Sequence, residues 1–217
     1  MNTGFRQNGG ASDIQPSPPT TGTIQELRSF VLPQGFRGRS ALLVQLWSVV
    51  QSTLFRWSPR ISYGWRRWLL RRFGARIGRG VRIRPTAEIA YPWKLSVGNW
   101  CWIGDNVTLY TLGPIRIGDN AVVSQQCYLC SASHDYTVPS FDIFARPIEI
   151  GDEAWLAAGV FVAPGVRVGH GAVVGARSVV LNNLPEMMVC VGHPATPVCA
   201  RRRGMPAAWP NARPKRD

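Results

Sequence analysis

The sequence contains three histidines, the residue type whose charge changes near neutral pH with the least perturbation. His170 lies between two glycines and His193 precedes a proline, whereas His134 lies in the polar stretch 131–136. A histidine between glycines is typical of an exposed corner. We therefore predict that His134 is the catalytic residue, a general base that takes a proton from a hydroxyl group.

The five cysteines include one pair, Cys127 and Cys130, with the spacing of half a zinc site. Cys101 and Cys127, however, occupy the small positions of a six-residue repeat, and Cys190 and Cys199 lack ligand partners at a useful spacing. We therefore predict no bound metal. An odd number of cysteines without a visible export signal is typical of a reducing compartment, and we expect a cytoplasmic protein.

The middle of the chain is an internal repeat of six residues, which decides the fold. An aliphatic residue occupies every sixth position in five groups of three: Ile77, Ile83 and Ile89; Val97, Ile103 and Leu109; Ile117, Val123 and Leu129; Ile150, Leu156 and Val162; Val168, Val174 and Val180. Four residues later, a small side chain follows in thirteen of the fifteen cases. The pattern predicts three short strands joined by sharp corners into one coil. We expect an all-β fold, a parallel β-helix of about five coils over residues 77–185.

The repeat is interrupted in three places. Two extra residues precede Val97, two precede Ile117, and fifteen lie between Leu129 and Ile150. The longest interruption gives a loop over residues 130–149 that contains His134. A long excursion from a regular solenoid is where functional residues concentrate, so we predict that this is the catalytic loop.

The segments on either side of the repeat have different compositions. Residues 1–38 are rich in Gly, Pro, Ser and Thr and predict a disordered basic and polar arm. Residues 39–76 contain two amphipathic helical patterns, and residues 186–217 form a C-terminal extension that ends in a basic tail. The chain thus consists of an arm, an N-terminal helical segment, a β-helix and an extension.

Positive charge is concentrated before the repeat. Lys and Arg outnumber Asp and Glu by 25 to 12, and the stretch 27–87 holds thirteen arginines and no acidic residue. An anionic partner is expected from such a segment, and no stretch is apolar for long enough to span a bilayer. The helices could place Trp65, Trp68, Leu69 and Phe73 in a membrane interface while Arg66, Arg67 and Arg71 meet anionic headgroups. They could equally cap the open first coil at Ile77.

Five sequence motifs carry a resemblance to a known family. Residues 77–200 resemble the hexapeptide-repeat O-acetyltransferases, and residues 39–200 are most similar to the colanic-acid-type polysaccharide acetyltransferases. The matching stretches are 51–59, 65–75, 133–136, 147–155 and 192–195. The resemblance implies a left-handed β-helix and a homotrimer with active sites between subunits. It also implies acetyl transfer from acetyl-CoA to a sugar or glycan hydroxyl, on an acceptor that is free or lipid-linked.

The resemblance also implies roles for single residues. His134 would be the general base, with no acyl-enzyme, and Asp135 and Trp155 would contact the acceptor. Ala158 and Ala176 would line the groove for pantetheine, and a backbone N–H near residues 157–158 would bind the oxyanion.

Two positions of the sequence depart from the family's pattern. Leu181 and Asn182 stand where several relatives have a Thr-Lys pair, so we predict that Arg201 and the arginines after it hold the CoA phosphates. Gly104 stands where relatives that act on small sugars have a polar residue that positions the acceptor.

Two other functions remain open on the sequence. A γ-type carbonic anhydrase shares this fold and binds zinc with three histidines, but the third ligand, expected near Gly175, is missing. A non-catalytic scaffold with a basic nucleic-acid-binding arm would leave the His134 loop unexplained and would need an aromatic and basic platform that the repeat lacks. We therefore expect an acetyltransferase located at the inner face of the membrane or free in the cytoplasm, with no nucleic-acid partner.

Overall fold

The computed structural model describes residues 22–202, in which five complete coils of a parallel β-helix are followed by part of a sixth. The strands of the first three coils are β1 (Arg76–Ile77), β2 (Arg82–Ile83), β3 (Glu88–Ile89), β4 (Leu95–Val97), β5 (Trp102–Ile103), β6 (Thr108–Tyr110), β7 (Ile115–Ile117), β8 (Val122–Val123) and β9 (Tyr128–Cys130). A hairpin of β10 (Ala132–His134) and β11 (Ile143–Ala145) follows. The remaining strands are β12 (Ile148–Ile150), β13 (Trp155–Leu156), β14 (Phe161–Val162), β15 (Arg167–Val168), β16 (Val173–Val174), β17 (Val179–Val180), β18 (Met188–Gly192) and β19 (Ala195–Ala200).

Every third strand stacks into one of three parallel faces. The first face contains β1, β4, β7, β12 and β15; the second contains β2, β5, β8, β13, β16 and β18; the third contains β3, β6, β9, β14 and β17. The predicted all-β parallel β-helix is therefore confirmed. The solenoid continues beyond residue 185, because Leu184 bridges to Val168 and Cys190 pairs with Val174. Cys190 lies six residues after Leu184 and is fully buried, so the period resumes with a cysteine at the centre.

The interior of the prism is filled as the six-residue period predicts. All fifteen aliphatic positions are buried, and they form one continuous core. Cys101 and Cys127 occupy small inward positions between coils, which confirms their packing role. Burial raises the pKa of each of these two thiols to about 11, so both are inert at neutral pH.

The corners between the first and second faces are held by polar side chains that stack from coil to coil. Asp119 accepts a hydrogen bond from the backbone N–H of Asn99 at 2.7 Å, and Asp152 accepts one from the N–H of Asp119 at 2.7 Å. The preceding position must be glycine, since a Cβ on Gly98 would lie 2.7 Å from the backbone of Gly118. At these corners the turn interrupts the hydrogen bonding between the backbones of adjacent coils. The aspartate carboxylates accept the backbone N–H groups that would otherwise have no partner.

Two helices cover the open edge of the first coil. Helix α1 (Ala41–Val50) continues as a π-helical turn (Gln51–Phe55), and helix α2 is Tyr63–Arg72. The buried Trp47 donates to the carbonyl of Ile89 at 2.7 Å, and Gln51 accepts from the N–H of Ile89 at 2.8 Å. The helices therefore satisfy backbone groups that no preceding coil can reach. None of the helices within residues 22–202 is long and apolar enough to cross a membrane.

The expected faces of α2 are nearly the reverse of the observed ones. Arg66 is fully buried and donates to the carbonyls of Ile83, Pro59 and Arg60 and to the hydroxyl of Ser58, while burial lowers its pKa. Arg67 donates to the carbonyl of Val81, and Arg71 donates to those of Ile77 and Gly78. Trp65 and Trp68 are instead 40% and 50% exposed. The prediction that Arg66 meets lipid headgroups is wrong, because its side chain is buried and its donors bind the carbonyl of Ile83 and groups of the connection between the two helices. Arg67 is half-buried and Arg71 is exposed, so contact of these two with headgroups stays a prediction.

The other end of the prism is covered by the C-terminal extension. Strand β19 pairs antiparallel with β18 and lies along its outer edge. Arg201 then donates through Nη1 to the carbonyls of Glu153 and Gly171, at 2.7 and 2.9 Å. Residues 1–21 and 203–217 lie outside the described residues. They include more than half of the predicted arm and most of the predicted basic tail.

The buried guanidinium of Arg66 is expected to contribute strongly to stability. Substitution Arg66→Leu should lower the free energy of unfolding by about 2–4 kcal/mol, because it leaves the buried carbonyl of Ile83 without this donor and removes the hydrogen bonds to Ser58 and Arg60 that hold the connection between the helices. Arg72→Leu, on an exposed position of the same helix, is the matched control and should change stability by less than about 0.5 kcal/mol. Urea denaturation of the two variants measures both values. Equal stabilities would contradict the capping role.

Candidate active site

The three interruptions of the repeat stack at one corner of the prism, between the third and first faces. The first contains a short 3-10 helix, Pro92–Lys94, before β4; the second lies between β6 and β7; the third is the loop between β9 and β12. Buried hydroxyls join them. Thr111 accepts from the N–H of Tyr91 at 2.7 Å and donates to its carbonyl. Ser131 donates to the carbonyl of Tyr110 at 2.6 Å and accepts from the N–H of Gly113 at 2.8 Å.

His134 is the last residue of β10 and is held from two sides. Its Nδ1 lies 2.8 Å from the carbonyl oxygen of Phe141, and its ring stacks on that of Phe141 with the centroids 4.3 Å apart. A carbonyl oxygen can only accept, so Nδ1 carries the proton and Nε2 has the free lone pair. Phe141 has a φ of +51°, a rare conformation for a bulky residue, which presents both its carbonyl and its ring to His134.

A segment before the helices also contacts this loop, which the sequence did not indicate. The ring of Phe30 lies 5.9 Å from that of His134, and the N–H of Glu26 donates to the carbonyl of Pro139 at 2.7 Å. Farther along, Trp93 donates to the carbonyl of Arg37 at 2.7 Å. Part of the segment predicted to be disordered, residues 22–38, therefore has defined contacts along the corner that carries His134.

Asp135, predicted to contact the acceptor, forms a local turn. Its carboxylate accepts from the N–H of Thr137 at 2.9 Å and from the Thr137 hydroxyl at 2.5 Å. These two hydrogen bonds lower the pKa of Asp135, the side-chain bond having the larger effect. Because its backbone N–H also donates to the carbonyl of Asp142, Asp135 supports the loop beside His134.

Trp155, the second predicted acceptor residue, lies on the second face, in β13. It is 37% exposed, and its Nε1 donates to the hydroxyl of Ser124 at 2.9 Å. The hydrogen bond fixes the plane of the indole. The exposed ring is therefore a rigid apolar wall on the outside of the prism.

The predicted pantetheine positions lie together at a different corner, between the second and third faces. Ala158 and Ala176 follow β13 and β16, and the N–H of Arg177 donates to the carbonyl of Ala158 at 2.9 Å. Ala176 is exposed and Ala158 is half-buried. The side chain of Arg177 lies across Gly159, 3.1 Å from where a Cβ would be. Arg177 was missed by the sequence reasoning, although its place directly after Ala176 could have indicated it.

The described residues thus bring together some of the predicted site and separate the rest. His134 and Asp135 lie at the corner between the third and first faces, whereas Ala158 and Ala176 lie one full side of the prism away. His170 lies at another corner, after β15. Within residues 22–202, no group of three or more His, Cys, Asp or Glu side chains could hold a metal ion.

Comparison with known proteins places the chain in a family. Residues 147–182 match the family described as bacterial transferase hexapeptide (six repeats), and residues 94–129 match the hexapeptide repeat of succinyl-transferase. The chain is 54% identical over 178 residues to the putative colanic acid biosynthesis acetyltransferase WcaF of Escherichia coli, an alignment that covers 82% of this chain and 98% of the relative.

Solved structures share the fold. The hexapeptide-repeat acetyltransferase VCA0836 of Vibrio cholerae, solved with acetyl coenzyme A, has a TM-score of 0.69 at 24% identity, covering 76% of this chain and 92% of that one. A maltose O-acetyltransferase from Clostridium difficile has a TM-score of 0.64 at 25% identity, covering 75% of this chain and 90% of that one. The chain belongs to the hexapeptide-repeat acetyltransferases.

Proposed function

We propose that the protein transfers an acetyl group from acetyl-CoA to a sugar hydroxyl during the biosynthesis of a surface polysaccharide. The observation that carries the proposal is the fixed ring of His134, whose Nδ1–H is bound to the carbonyl of Phe141 at 2.8 Å while Nε2 stays free to accept a proton. The 54% identity to a relative named for colanic acid biosynthesis supports a polysaccharide acceptor.

The reaction follows from this tautomer. Nε2 of His134 takes the proton of the sugar hydroxyl as its oxygen attacks the thioester carbonyl of acetyl-CoA. The tetrahedral intermediate then collapses, the carbon–sulfur bond breaks, and the imidazolium returns its proton to the CoA sulfur. The products are the O-acetyl sugar and free CoA, and no acyl-enzyme forms. Phe141 holds the ring throughout, because its carbonyl also accepts from the doubly protonated imidazole.

A backbone N–H near residues 157–158, shortly after Trp155, would stabilise the oxyanion. The N–H of Ala157 is already used, since it donates to the carbonyl of Val174 at 2.9 Å. We therefore propose Ala158 as the donor, at the edge of the groove that pantetheine would follow. A positioned donor of this kind typically contributes about 10²-fold to the rate.

The CoA phosphates need cations near that groove. Arg201 remains our prediction for one of them, although its Nη1 also bridges two carbonyls of the corner. Arg177 is a second candidate, because it follows Ala176 directly and its exposed side chain runs along Gly159. A guanidinium suits a phosphate through paired hydrogen bonds.

The separation of the two corners supports a homotrimer. In one subunit, His134 and the groove at Ala158 and Ala176 lie at different corners of the prism, so they cannot meet on one molecule. A neighbouring copy that packs its His134 corner against this groove would complete a site. Closed three-fold symmetry would give three such sites.

A lipid-linked acceptor and peripheral binding at the inner membrane face are further parts of this proposal. Leu54, Trp57, Trp65 and Trp68, here called the tryptophan patch, are exposed on the helical cap. The rings of Trp65 and Trp68 stack with centroids 5.1 Å apart, and Trp65 donates to the carbonyl of Leu54. Tryptophan favours the bilayer interface, so the patch suits contact with lipid on the cytoplasmic side, where acetyl-CoA is available.

Loss of the base should abolish most turnover. His134→Ala is expected to lower kcat by at least about 10²-fold, because the hydroxyl loses its proton acceptor. Release of free CoA, followed with a thiol reagent in the presence of a glycan acceptor, measures the rate. His170→Ala, on a corner away from the loop, is the matched control and should keep full activity. An unchanged rate in the His134 variant would exclude it as the base.

A shared site predicts complementation between subunits. His134→Ala and Ala176→Trp should each be inactive alone. When the two chains are co-expressed, about a quarter of the sites should be active, because mixed trimers contain sites with an intact His134 from one subunit and an intact Ala176 from its neighbour. Activity of the purified mixture and its mass by light scattering are the measurements. An active monomer, or a mixture as inactive as its components, would argue against the shared site.

The tryptophan patch should carry the membrane contact. The wild-type protein should float with vesicles of phosphatidylcholine and phosphatidylglycerol, and the double variant Trp57→Ser/Trp65→Ser should bind more than about ten-fold less, because apolar area is lost. Trp100→Ser, exposed but outside the patch, is the control. Since Arg66, Arg67 and Arg71 are bound to the first coil, high salt should reduce binding only in part. Wild-type protein that floats with no vesicles would refute the contact.

A further inference from the structure

A notch of about 330 Å³ opens on the first face, next to the helical cap, and takes no part in the reaction described above. Strand register places Ser96 between Arg76 and Arg116 on the outside of this face, in three successive coils. The side chain of serine is much shorter than that of arginine, so the space between the two arginines is open. Ser96 therefore lies at the floor of the notch, between two cationic side chains.

A third arginine, Arg39, reaches the notch from the segment before helix α1. Trp93 fixes that segment, because its Nε1 donates to the carbonyl of Arg37 at 2.7 Å and would lie 3.5 Å from a Cβ on Gly38. The end of helix α2 also packs on Trp93, since a Cβ on Gly74 would lie 3.1 Å from the Cβ of Trp93. The notch is therefore built where separate segments of the chain meet at one tryptophan.

The notch is cationic, and much of its charge is free. None of the described residues that line it is acidic. Arg39 and Arg76 are exposed, and neither forms an ion pair with another residue in the range 22–202. Arg116 pairs with Glu149 at 3.2 Å, but 67% and 42% of the two side chains are exposed. A pair so exposed contributes little free energy, so Arg116 is available to a ligand.

Three guanidinium groups around a small hydroxyl match the chemistry of a phosphate or diphosphate group. A guanidinium donates paired hydrogen bonds to phosphate oxygens, and the hydroxyl of Ser96 can donate one more. A phosphate group carries more than one negative charge near neutral pH, whereas the carboxylate of an acidic sugar carries one. Three cations around one notch therefore favour phosphate.

The notch lies beside the corner that carries His134. Trp93 and Pro114, which line the notch, belong to the first and second interruptions of the repeat, and His134 belongs to the third. The first and third interruptions are two coils apart, which is about 10 Å at the strand spacing of a sheet. A phosphate in the notch would lie between His134 and the helical cap, and a glycan attached to it could follow the corner to the base.

We propose that the notch of Arg39, Arg76 and Arg116 binds a phosphate or diphosphate group at one end of the acceptor, while a sugar farther along the glycan meets His134. The inference rests on the proposed function and narrows its acceptor to a glycan linked through phosphate. A lipid carrier and a nucleoside would present the same phosphate chemistry to the notch. The three arginines bind and orient the acceptor and take no part in proton transfer.

The test measures the binding of inorganic pyrophosphate to the full chain by isothermal titration calorimetry. CoA is present at saturation, so that the predicted site for its phosphates is occupied. The double variant Arg39→Gln/Arg76→Gln should bind pyrophosphate at least about ten-fold more weakly than the wild type, because two charge-assisted contacts are lost.

Two further probes separate the sources of the phosphate. Farnesyl diphosphate that binds more tightly than pyrophosphate would indicate a lipid carrier, and uridine diphosphate that binds more tightly would indicate a nucleoside. In either case the tighter binding should be lost in the Arg39→Gln/Arg76→Gln variant.

Arg72→Gln/Arg79→Gln is the matched control, because it removes the same two charges from exposed positions outside the notch. It should bind pyrophosphate as the wild type does. Pyrophosphate that does not bind the wild type, that binds the Arg39→Gln/Arg76→Gln variant equally well, or that is lost to the same extent in the control would each overturn the assignment. These measurements do not use acetyl transfer, so they fail or succeed separately from the proposed function.

Discussion

The structure depends on one constraint: each coil of a parallel β-helix satisfies its backbone only through the coils on either side. Inside the stack this pairing needs nothing but small corners and an aliphatic centre, which the six-residue period supplies. The groups that remain free are outward side chains and irregular corners. We therefore propose that the chemistry of this protein lies where the period is broken, at the corner that carries His134, or on outward positions such as Trp155.

The same constraint explains the ends of the prism. A first coil has a row of unpaired carbonyls, and here Arg66, Arg67 and Arg71 donate hydrogen bonds to them. On the third face, Trp47 and Gln51 bind the backbone carbonyl and N–H of Ile89. Part of the positive charge that would suit an anionic partner is thus bound within the molecule. Some apolar side chains of the helical cap are exposed, and four of them form the tryptophan patch that we propose for membrane contact.

The sequence predicted the solenoid well because each position of the repeat has the same environment in every coil, so local pattern and global fold agree. It could not predict that Arg66 is buried, because a periodicity pattern counts arginine as a polar residue. The carbonyls that accept hydrogen bonds from Arg66 belong to residues up to seventeen positions away. The sixth coil was missed because Cys190 fills a slot otherwise held by Ile, Leu or Val. His134 was located from its loop, whereas its partners Phe141 and Phe30 depend on a positive φ and on a contact across the chain, which no local pattern encodes.

We propose direct acetyl transfer from CoA to a glycan hydroxyl at a site built by His134. The most direct measurement incubates the purified protein with acetyl-CoA labelled with ¹³C in the acetyl group and with de-O-acetylated oligosaccharides of the surface polysaccharide, and follows the label by NMR. We expect a base-labile O-acetyl ester on the sugar, in the same amount as the free CoA released. Label that stays on the protein, or CoA released without any ester on the glycan, would contradict the account.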